Sequence, residues 1–101
     1  MLEIKPICEH CAKALPNGSD QAMICTFECT FCQDCVINIL ENVCPNCGGG
    51  FERRPTRPLA CLTKFCVTNY PVGEMEYVNP VKPQKFSPLK QALVNVDPRK
   101  R

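Results

Sequence analysis

Ten of the 101 residues are cysteines, and eight of them lie in the first half of the chain. These eight form four close pairs with two or three residues between the partners: Cys8/Cys11, Cys25/Cys29, Cys32/Cys35 and Cys44/Cys47. A two-residue spacer lets a tight turn direct both sulfurs at one metal ion, and structural Zn²⁺ is bound by four such ligands. The spacing therefore predicts two zinc sites, each built from four thiolates.

The order of the four pairs leaves open which pairs share a metal. In a crossed arrangement the first and third pairs bind one ion, and the second and fourth pairs bind the other. The spacing resembles that of RING-type cross-brace zinc domains, which have this arrangement. The resemblance implies one site of Cys8, Cys11, Cys32 and Cys35 and another of Cys25, Cys29, Cys44 and Cys47. In the alternative, sequential arrangement, neighbouring pairs along the chain share each ion.

A predicted helix favours the crossed arrangement. Residues 33–41 place Val36, Ile37 and Leu40 on one face, at the spacing of an amphipathic helix. Cys32 and Cys35 then lie at the helix start, where backbone N–H groups and the helix dipole favour thiolates. A metal-binding turn that closes onto a helix N-terminus is a treble-clef arrangement, and only the crossed pairing builds it.

The composition divides the chain into a head and a tail. The second half contains seven of the ten prolines, which resists a compact core. A run of three glycines ending at Gly50 predicts a turn or hinge just before this change. We therefore expect a small zinc-stabilised α+β head over residues 1–51, RING-like in its ligand pattern. A Pro-rich, partly extended tail is expected over residues 52–101.

Short elements are predicted within both parts. In the head, residues 22–25 and 28–31 are expected to pair as a hairpin. In the tail, a second hairpin is possible over residues 59–78. A short helix is predicted over residues 88–96, with Ser87 as its N-cap and a proline at its first position. Its apolar stripe is expected to dock on the head.

A closer resemblance joins residues 1–6, the cysteine pairs through Cys47 and the run at 53–58. Together these are similar to a family of short bacterial proteins known as domain of unknown function twelve-seventy-two. The resemblance covers about two-thirds of the chain and lapses beyond Cys66. It implies a bacterial, cysteine-rich, metal-binding protein and supplies no activity. The residues that follow are expected to be an extension.

Charge is distributed unevenly along the chain. The first 50 residues carry two Lys against six Asp and Glu, whereas the rest carry ten Lys and Arg against four acidic residues. Eight thiolates around two zinc ions would make the head more acidic still. Opposite charges joined by a short segment favour a contact between tail and head that weakens with salt.

The expected compartment is the cytoplasm, without membrane association. Residues 1–6 lack the basic segment and apolar run of a secretory signal, and no stretch approaches the ~18 apolar residues of a membrane span. In the cytoplasm thiols stay reduced, and clustered cysteines bind metal. Cys61 and Cys66 have no partner at metal-binding spacing, so free thiols are expected there. A redox pair or a metal half-site shared between chains are the alternatives.

Other chemistries are possible for some of these residues. The run from Cys25 to Cys32 resembles the iron–sulfur motif of radical S-adenosylmethionine enzymes, but those enzymes need a partial barrel far larger than this chain. Other iron–sulfur binding stays an alternative, because tetrathiolate sites also accept iron. His10 lies inside the first pair and is expected to be a solvent-facing spacer.

The favoured function is a non-enzymatic zinc module that presents a surface to another macromolecule, with a protein as the expected partner. No general base or open zinc position indicates catalysis, since cysteine supplies every ligand. Ubiquitin ligation is not expected, because Glu9 stands where RING ubiquitin ligases usually have an apolar residue and the chain has no Trp. One alternative is nucleic-acid binding through the tail cations Arg53, Arg54 and Arg57. Another is a thiol-based metal or redox sensor.

Overall fold

A small antiparallel sheet lies at the centre of the head. The computed structural model describes all 101 residues. Strands β1 (Ala22–Ile24), β2 (Thr30–Cys32) and β3 (Glu52–Arg53) form this sheet in the order β2-β1-β3. All three strands are only two or three residues long, so most of the head consists of turns and loops.

The predicted hairpin is confirmed, with its second strand displaced toward Cys32. β1 pairs with β2 so that Ala22 lies opposite Cys32. In the connecting loop the N–H of Glu28 donates to the carbonyl of Cys25 at 3.0 Å. Glu28 itself has a left-handed φ of 65°. This loop contains the second cysteine pair, so the hairpin connection is also a candidate metal-binding turn.

The predicted helix at 33–41 forms, but in two parts. Helix α1 (Gln33–Cys35) continues directly into a π-helical turn (Val36–Leu40). The segment ends at Glu41, whose φ of 48° is left-handed. Both end residues of the π-helical turn are buried, whereas Ile37 is 57% exposed. The apolar face is therefore narrower than the sequence pattern suggests.

Helix α2 (Pro83–Leu93) begins five residues earlier than predicted, and Ser87 is not its N-cap. Pro83 occupies the first turn, where a missing N–H costs no helical hydrogen bond. Pro88, the predicted first residue, lies inside the helix and removes one hydrogen bond. Burial of Phe86 in the core of the head offsets that loss.

No helix of the structure combines the length and hydrophobicity that a membrane span requires.

The chain returns to the sheet after the glycine run, so the boundary predicted after residue 51 falls inside the folded head. Beyond β3, the N–H of Arg54 donates to the carbonyl of Ala22 at 2.9 Å. The glycines complete the fourth cysteine turn. The N–H of Gly48 donates to the carbonyl of Cys44 at 2.8 Å, and its φ of 78° is one that glycine adopts without strain.

The segment predicted as a hairpin over residues 59–78 contains no strand. Instead, a disulfide joins Cys61 to Cys66, whose Cα atoms are 5.2 Å apart. The expectation of two free thiols is therefore wrong. A loop closed over so few residues cannot form one arm of an extended hairpin. At its base, the N–H of Val67 donates to the carbonyl of Pro58 at 2.8 Å.

Cysteines make up a large part of the core. Fourteen buried residues form one cluster, and six of them are cysteines. The rings of Phe31 and Phe51 meet edge to face, with centroids 5.6 Å apart. A unit as small as the head buries little apolar surface, so a wholly hydrophobic core would stabilise its fold only marginally. The sulfur atoms therefore occupy positions that aliphatic side chains fill in larger domains.

Helix α2 packs on the head mainly through apolar contacts, as its stripe predicts. Phe86 is 6% exposed and belongs to the core, and Leu89 and Leu93 pack against it. One ion pair joins the helix to the head, between Lys90 Nζ and a Glu41 carboxylate oxygen at 3.0 Å. The contact is thus largely apolar, and salt does not screen burial of this kind.

We expect Phe86→Ala to lower the free energy of unfolding by about 3–4 kcal/mol, because a buried aromatic ring leaves a cavity. Leu62→Ala is the matched control, since Leu62 is 93% exposed. It should change stability by less than about 0.5 kcal/mol. Urea denaturation at low and high salt measures both variants. Equal losses of stability in the two variants would contradict apolar docking. A difference between the variants that disappears at high salt would contradict it as well.

Candidate metal centres

The first cluster contains the four cysteines of the first and third pairs. The sulfurs of Cys8, Cys11, Cys32 and Cys35 all lie within 4.8 Å of one another. Two of the distances are 3.9 Å, from Cys8 to Cys35, and 3.7 Å, from Cys11 to Cys32. Four sulfurs at ~2.3 Å from a tetrahedral Zn²⁺ lie ~3.8 Å apart. The donor set and its spacing fit one zinc ion.

Two different kinds of local structure bring this cluster together. Cys8 and Cys11 lie on a turn closed by hydrogen bonds from Cys8 N–H to the Lys13 carbonyl and from Ala12 N–H to the Cys8 carbonyl. Ala12 adopts a left-handed φ of 64° in this turn. Cys32 ends β2 and Cys35 ends α1. A turn therefore faces a strand-to-helix junction.

The second cluster joins the second and fourth pairs. The sulfurs of Cys25, Cys44 and Cys47 lie within 4.8 Å of one another. The structure thus brings the first pair together with the third, and Cys25 of the second pair together with the fourth, as a crossed arrangement requires. In a sequential arrangement Cys8 and Cys25 would have shared a cluster.

Cys29 differs from the other predicted ligands. It is buried and its sulfur contacts Cys25 and Cys44, but it lies outside the group of sulfurs that are all within 4.8 Å of one another. The side-chain amide of Asn46 donates to Cys29 Sγ at 3.3 Å. This pair has three residues between its cysteines, and Glu28 takes a left-handed conformation to reverse the chain. The longer turn holds Cys29 at the edge of the cluster.

Backbone N–H groups point at sulfurs in three of the four turns. In each case the residue two positions after the cysteine donates, at 3.4, 3.3 and 3.4 Å: His10 to Cys8, Phe27 to Cys25 and Gly49 to Cys47. A hydrogen bond to sulfur stabilises the charged thiolate relative to the thiol. The turns therefore both position the sulfurs and stabilise their charged form.

One thiol in each cluster ionises more readily than usual. Burial alone would raise the pKa of Cys11, but hydrogen bonds from the Lys13 backbone and from Cys32 outweigh it and lower the pKa. For Cys25, burial is likewise outweighed, chiefly by the backbone N–H of Phe27, so its pKa is also lowered. Each cluster therefore contains one sulfur whose charged form the surrounding hydrogen bonds favour.

Four of the buried thiols resist ionisation. Burial raises the pKa of Cys29, Cys32, Cys35 and Cys44, and the negative charge of neighbouring sulfurs adds to the effect. Several adjacent thiolates therefore require a cation among them. A divalent ion supplies that charge, which is a second respect in which the clusters fit zinc.

We expect the affinity for zinc to fall steeply as pH decreases. Without metal, the thiols with raised pKa keep their protons at neutral pH, so zinc binding must displace those protons. Lower pH favours the protonated thiols and hence zinc release. Transfer of zinc to a chromogenic chelator, followed from pH 8 to pH 5, measures this. Release that increases toward alkaline pH would contradict the assignment of thiolate ligands.

Comparison with known proteins places the chain in a family. Residues 1–57, which contain both clusters, match the family described as Protein of unknown function (DUF1272). The chain belongs to this family. It is also 45% identical to the uncharacterized protein R02474 of Rhizobium meliloti (strain 1021) over 92 residues, which is 91% of this chain and 100% of that protein. No solved structure matches.

The similarity to the Rhizobium protein continues well past Cys66, where the family resemblance was expected to end. An alignment over 92 of 101 residues must include most of α2. The expectation that the end of the chain is an extension is therefore wrong for this relative. Docking of α2 on the core of the head gives a structural reason why the two parts stay together.

His10 is not the solvent-facing spacer that the sequence suggests. Its Nδ1 accepts a hydrogen bond from the N–H of Val81 at 2.8 Å. Beside it, the N–H of Asn79 donates to the carbonyl of Glu9, also at 2.8 Å. The tail of this family member therefore runs along the first metal-binding turn. No local signal could predict a contact between residues so distant in sequence.

Glu9 links the first turn to the sheet. Its carboxylate accepts hydrogen bonds from the N–H of Thr30 and from Lys5 Nζ, the latter at 3.2 Å. The backbones of Glu9 and Thr30 also pair, at 3.0 Å. These contacts place the first turn beside β2, which ends at Cys32. They give Glu9 a structural role in assembling the first cluster.

Arg54, which the sequence offers as a phosphate contact only in the nucleic-acid alternative, is buried inside the head. Its guanidinium donates to the carbonyls of Lys5, Leu15 and Pro16 at 2.8, 2.9 and 2.9 Å. Burial lowers the pKa of Arg54. The three carbonyl dipoles replace part of the water that the cation loses on folding, while its buried Nε has no hydrogen-bond partner. No phosphate can reach a cation in this position.

Arg57 is also engaged within the chain. It donates to the carbonyls of Tyr70, at 2.7 Å, and Leu2. Its N–H donates to the side chain of Asn17 at 2.9 Å. Of the three arginines considered for nucleic-acid binding, Arg53 alone is left on the surface without such contacts. The linker that carries Arg54 and Arg57 therefore folds back on the head.

Proposed function

We propose that this DUF1272 member is a non-enzymatic module that binds two structural Zn²⁺ ions and presents a surface to another macromolecule. Seven of the eight head cysteines gather into two separate clusters, with Cys29 buried at the edge of the second, and this observation carries the proposal. The first ion would be held by Cys8, Cys11, Cys32 and Cys35. The second would be held by Cys25, Cys44 and Cys47, with Cys29 as the adjacent fourth ligand.

The donor set favours a structural role for the metal. A zinc ion surrounded by four cysteines has no open position for water or substrate, which hydrolytic zinc sites require. Each such site contributes roughly 10–16 kcal/mol to folding at neutral pH. Since six of the fourteen residues in the core cluster are cysteines, the ions would act as part of the core. The crossed pairing at a helix start supports a RING-like, treble-clef relationship for the head.

Uncovered apolar side chains support the binding of a protein partner. Phe27, Ile37 and Ile39 are 74%, 57% and 39% exposed, although α2 is already docked on the head. Phe27 lies in the second cysteine turn, and the other two lie on the π-helical turn. Exposed apolar residues on elements that zinc would hold rigid are suited to recognition of another protein.

A thiol-based metal or redox sensor is a second candidate, which one observation favours. Each cluster includes one exposed cysteine, Cys11 in the first and Cys47 in the second. An exposed thiolate ligand is open to oxidation, which would release the metal. Mild peroxide should then release zinc at a rate set by these two residues. Nucleic-acid binding has less support, because Arg54 and Arg57 are engaged within the chain.

Two zinc ions per chain are expected in the purified protein, because the two groups of thiols make two closed sites. Elemental analysis of protein expressed without added metal, together with native mass spectrometry, measures this. Removal of zinc by a chelator should abolish cooperative unfolding. One zinc per chain, or iron with visible charge-transfer absorption, would overturn the proposal.

The interaction role is tested separately by affinity capture with the zinc-loaded chain from its bacterial host. Ile37→Ser should weaken capture of a specific partner while leaving zinc content unchanged. Met75→Ser is the matched control, because Met75 is 63% exposed but lies in the tail. Equal capture by the wild type and both variants would remove support for a partner surface at the π-helical turn.

A further inference from the structure

The disulfide between Cys61 and Cys66 is separate from both metal clusters. The other eight cysteines are free, and seven of them form the clusters already described, with Cys29 at the edge of the second. The bond closes a loop of six residues in the segment between β3 and α2. Nothing in the proposed zinc function uses this pair, so its chemistry needs its own explanation.

The two sulfurs of the pair differ in accessibility. Cys66 is fully buried, whereas Cys61 is exposed. Thiol–disulfide exchange begins with attack of a thiolate on one sulfur, so access decides which sulfur is attacked. An incoming thiolate can reach Cys61, and Cys66 becomes the leaving group. Lys64 is the one charged residue inside the loop, and a nearby cation favours a thiolate.

The surface around Cys61 is unusually apolar for an exposed loop. Leu59, Leu62 and Phe65 are 72%, 93% and 61% exposed. All three lie within four residues of Cys61 in the chain, and exposed apolar side chains this close together are suited to contact with another protein. Phe65 also stacks on Tyr70, with ring centroids 6.0 Å apart, which orients one side of this surface.

We propose that Cys61 and Cys66 form a thiol–disulfide exchange site whose partner is a protein dithiol reductant that contacts Leu59, Leu62 and Phe65. The reductant's thiolate attacks Cys61 Sγ, the bond to Cys66 Sγ breaks, and Cys66 leaves as a thiolate that takes up a proton. The reductant's second thiol then attacks the mixed disulfide and releases Cys61 as a thiol. Two electrons pass to the pair, and the reductant becomes a disulfide.

The loop is held by contacts that do not depend on the disulfide. The N–H of Val67 donates to the carbonyl of Pro58 at 2.8 Å, and the N–H of Tyr70 donates to the carbonyl of Cys66 at 2.9 Å. The first hydrogen bond keeps the two ends of the loop together after reduction, and the second holds Cys66 to the turn that follows it. The dithiol therefore stays poised to form the bond again, and the exchange is reversible without unfolding of the head.

The first experiment equilibrates the zinc-loaded full chain in glutathione buffers that range from oxidising to reducing. Free thiols are then alkylated, and peptide masses and zinc content are measured. We expect Cys61 and Cys66 to convert together between disulfide and dithiol while zinc is retained. The proposal is overturned if the pair never forms at the oxidising end, resists excess dithiothreitol, or changes only as zinc is lost.

The second experiment traps the partner on the attacked sulfur. A thioredoxin variant that keeps only its attacking cysteine should form a mixed disulfide with Cys61, not Cys66. Leu62→Ser should slow reduction by intact thioredoxin about five- to tenfold, because contacts at exposed apolar anchors are lost. Leu62→Ser should leave the rate of reduction by dithiothreitol unchanged. Met75→Ser should slow reduction by neither thioredoxin nor dithiothreitol. Trapping on Cys66, or equal slowing with both reductants, overturns the assignment.

Discussion

Cys32→Ser is expected to lower the zinc content of the chain from two ions to one, with the same result for Cys8→Ser. The two residues lie in different pairs, but the structure places them in one cluster of four sulfurs. Loss of a thiolate leaves the remaining sulfurs without a complete tetrahedral site. Elemental analysis and the absorption of the cobalt-substituted protein measure the number and type of sites that remain.

Double variants distinguish crossed from sequential pairing. Cys8→Ser combined with Cys32→Ser should lose no more metal than either change alone, because both act on one site. Cys8→Ser combined with Cys25→Ser should lose both ions, since these residues lie in different clusters. If the second combination retains one ion and the first retains none, the pairing is sequential and the crossed arrangement is wrong.

Arg54→Ala is expected to lower the free energy of unfolding of the zinc-loaded chain by about 3–5 kcal/mol. The change removes a buried cation that satisfies three carbonyls, those of Lys5, Leu15 and Pro16. Buried polar groups left without partners are costly in free energy. These carbonyls lie in the segment that carries the first cysteine turn, so weaker zinc binding at the first site should accompany the loss.

Arg53→Ala is the matched control, because Arg53 is adjacent in sequence, exposed and equally charged. It should change stability by less than about 0.5 kcal/mol. Arg54→Lys should restore only part of the loss, since an ammonium group cannot reproduce the planar fork of a guanidinium. Urea denaturation of zinc-loaded samples measures all three. Similar stabilities for Arg53→Ala and Arg54→Ala would show that the buried contacts contribute little.

The local features of the cysteine turns could be predicted from sequence. Two or three residues between cysteines favour a tight turn almost irrespective of its surroundings, so the four pairs are visible without a structure. The hairpin that contains Cys25 and the helix that follows Cys32 are local in the same sense. The apolar stripe of α2 also indicated docking, although Pro83 rather than Ser87 defines where the helix starts.

Other features depend on how distant segments meet, and these only the tertiary structure decided. The partner of His10 is Val81, and the partners of Arg54 lie in residues 5–16. Which residues meet depends on the path of the whole chain, and local pattern carries no information about it. For the same reason the charge pattern indicated an ionic contact between head and tail, where the docked helix is largely apolar.

The cysteines show the same contrast between what the sequence determines and what only the tertiary structure decides. By itself, the sequence determined that cysteines in close pairs would cluster and that the chain would fold around them. The tertiary structure decided that Cys29 lies at the edge of its cluster and that Cys61 bonds to Cys66. The physical reason is that spacing restricts which sulfurs can meet, whereas the packing of neighbouring turns determines the final distance between them.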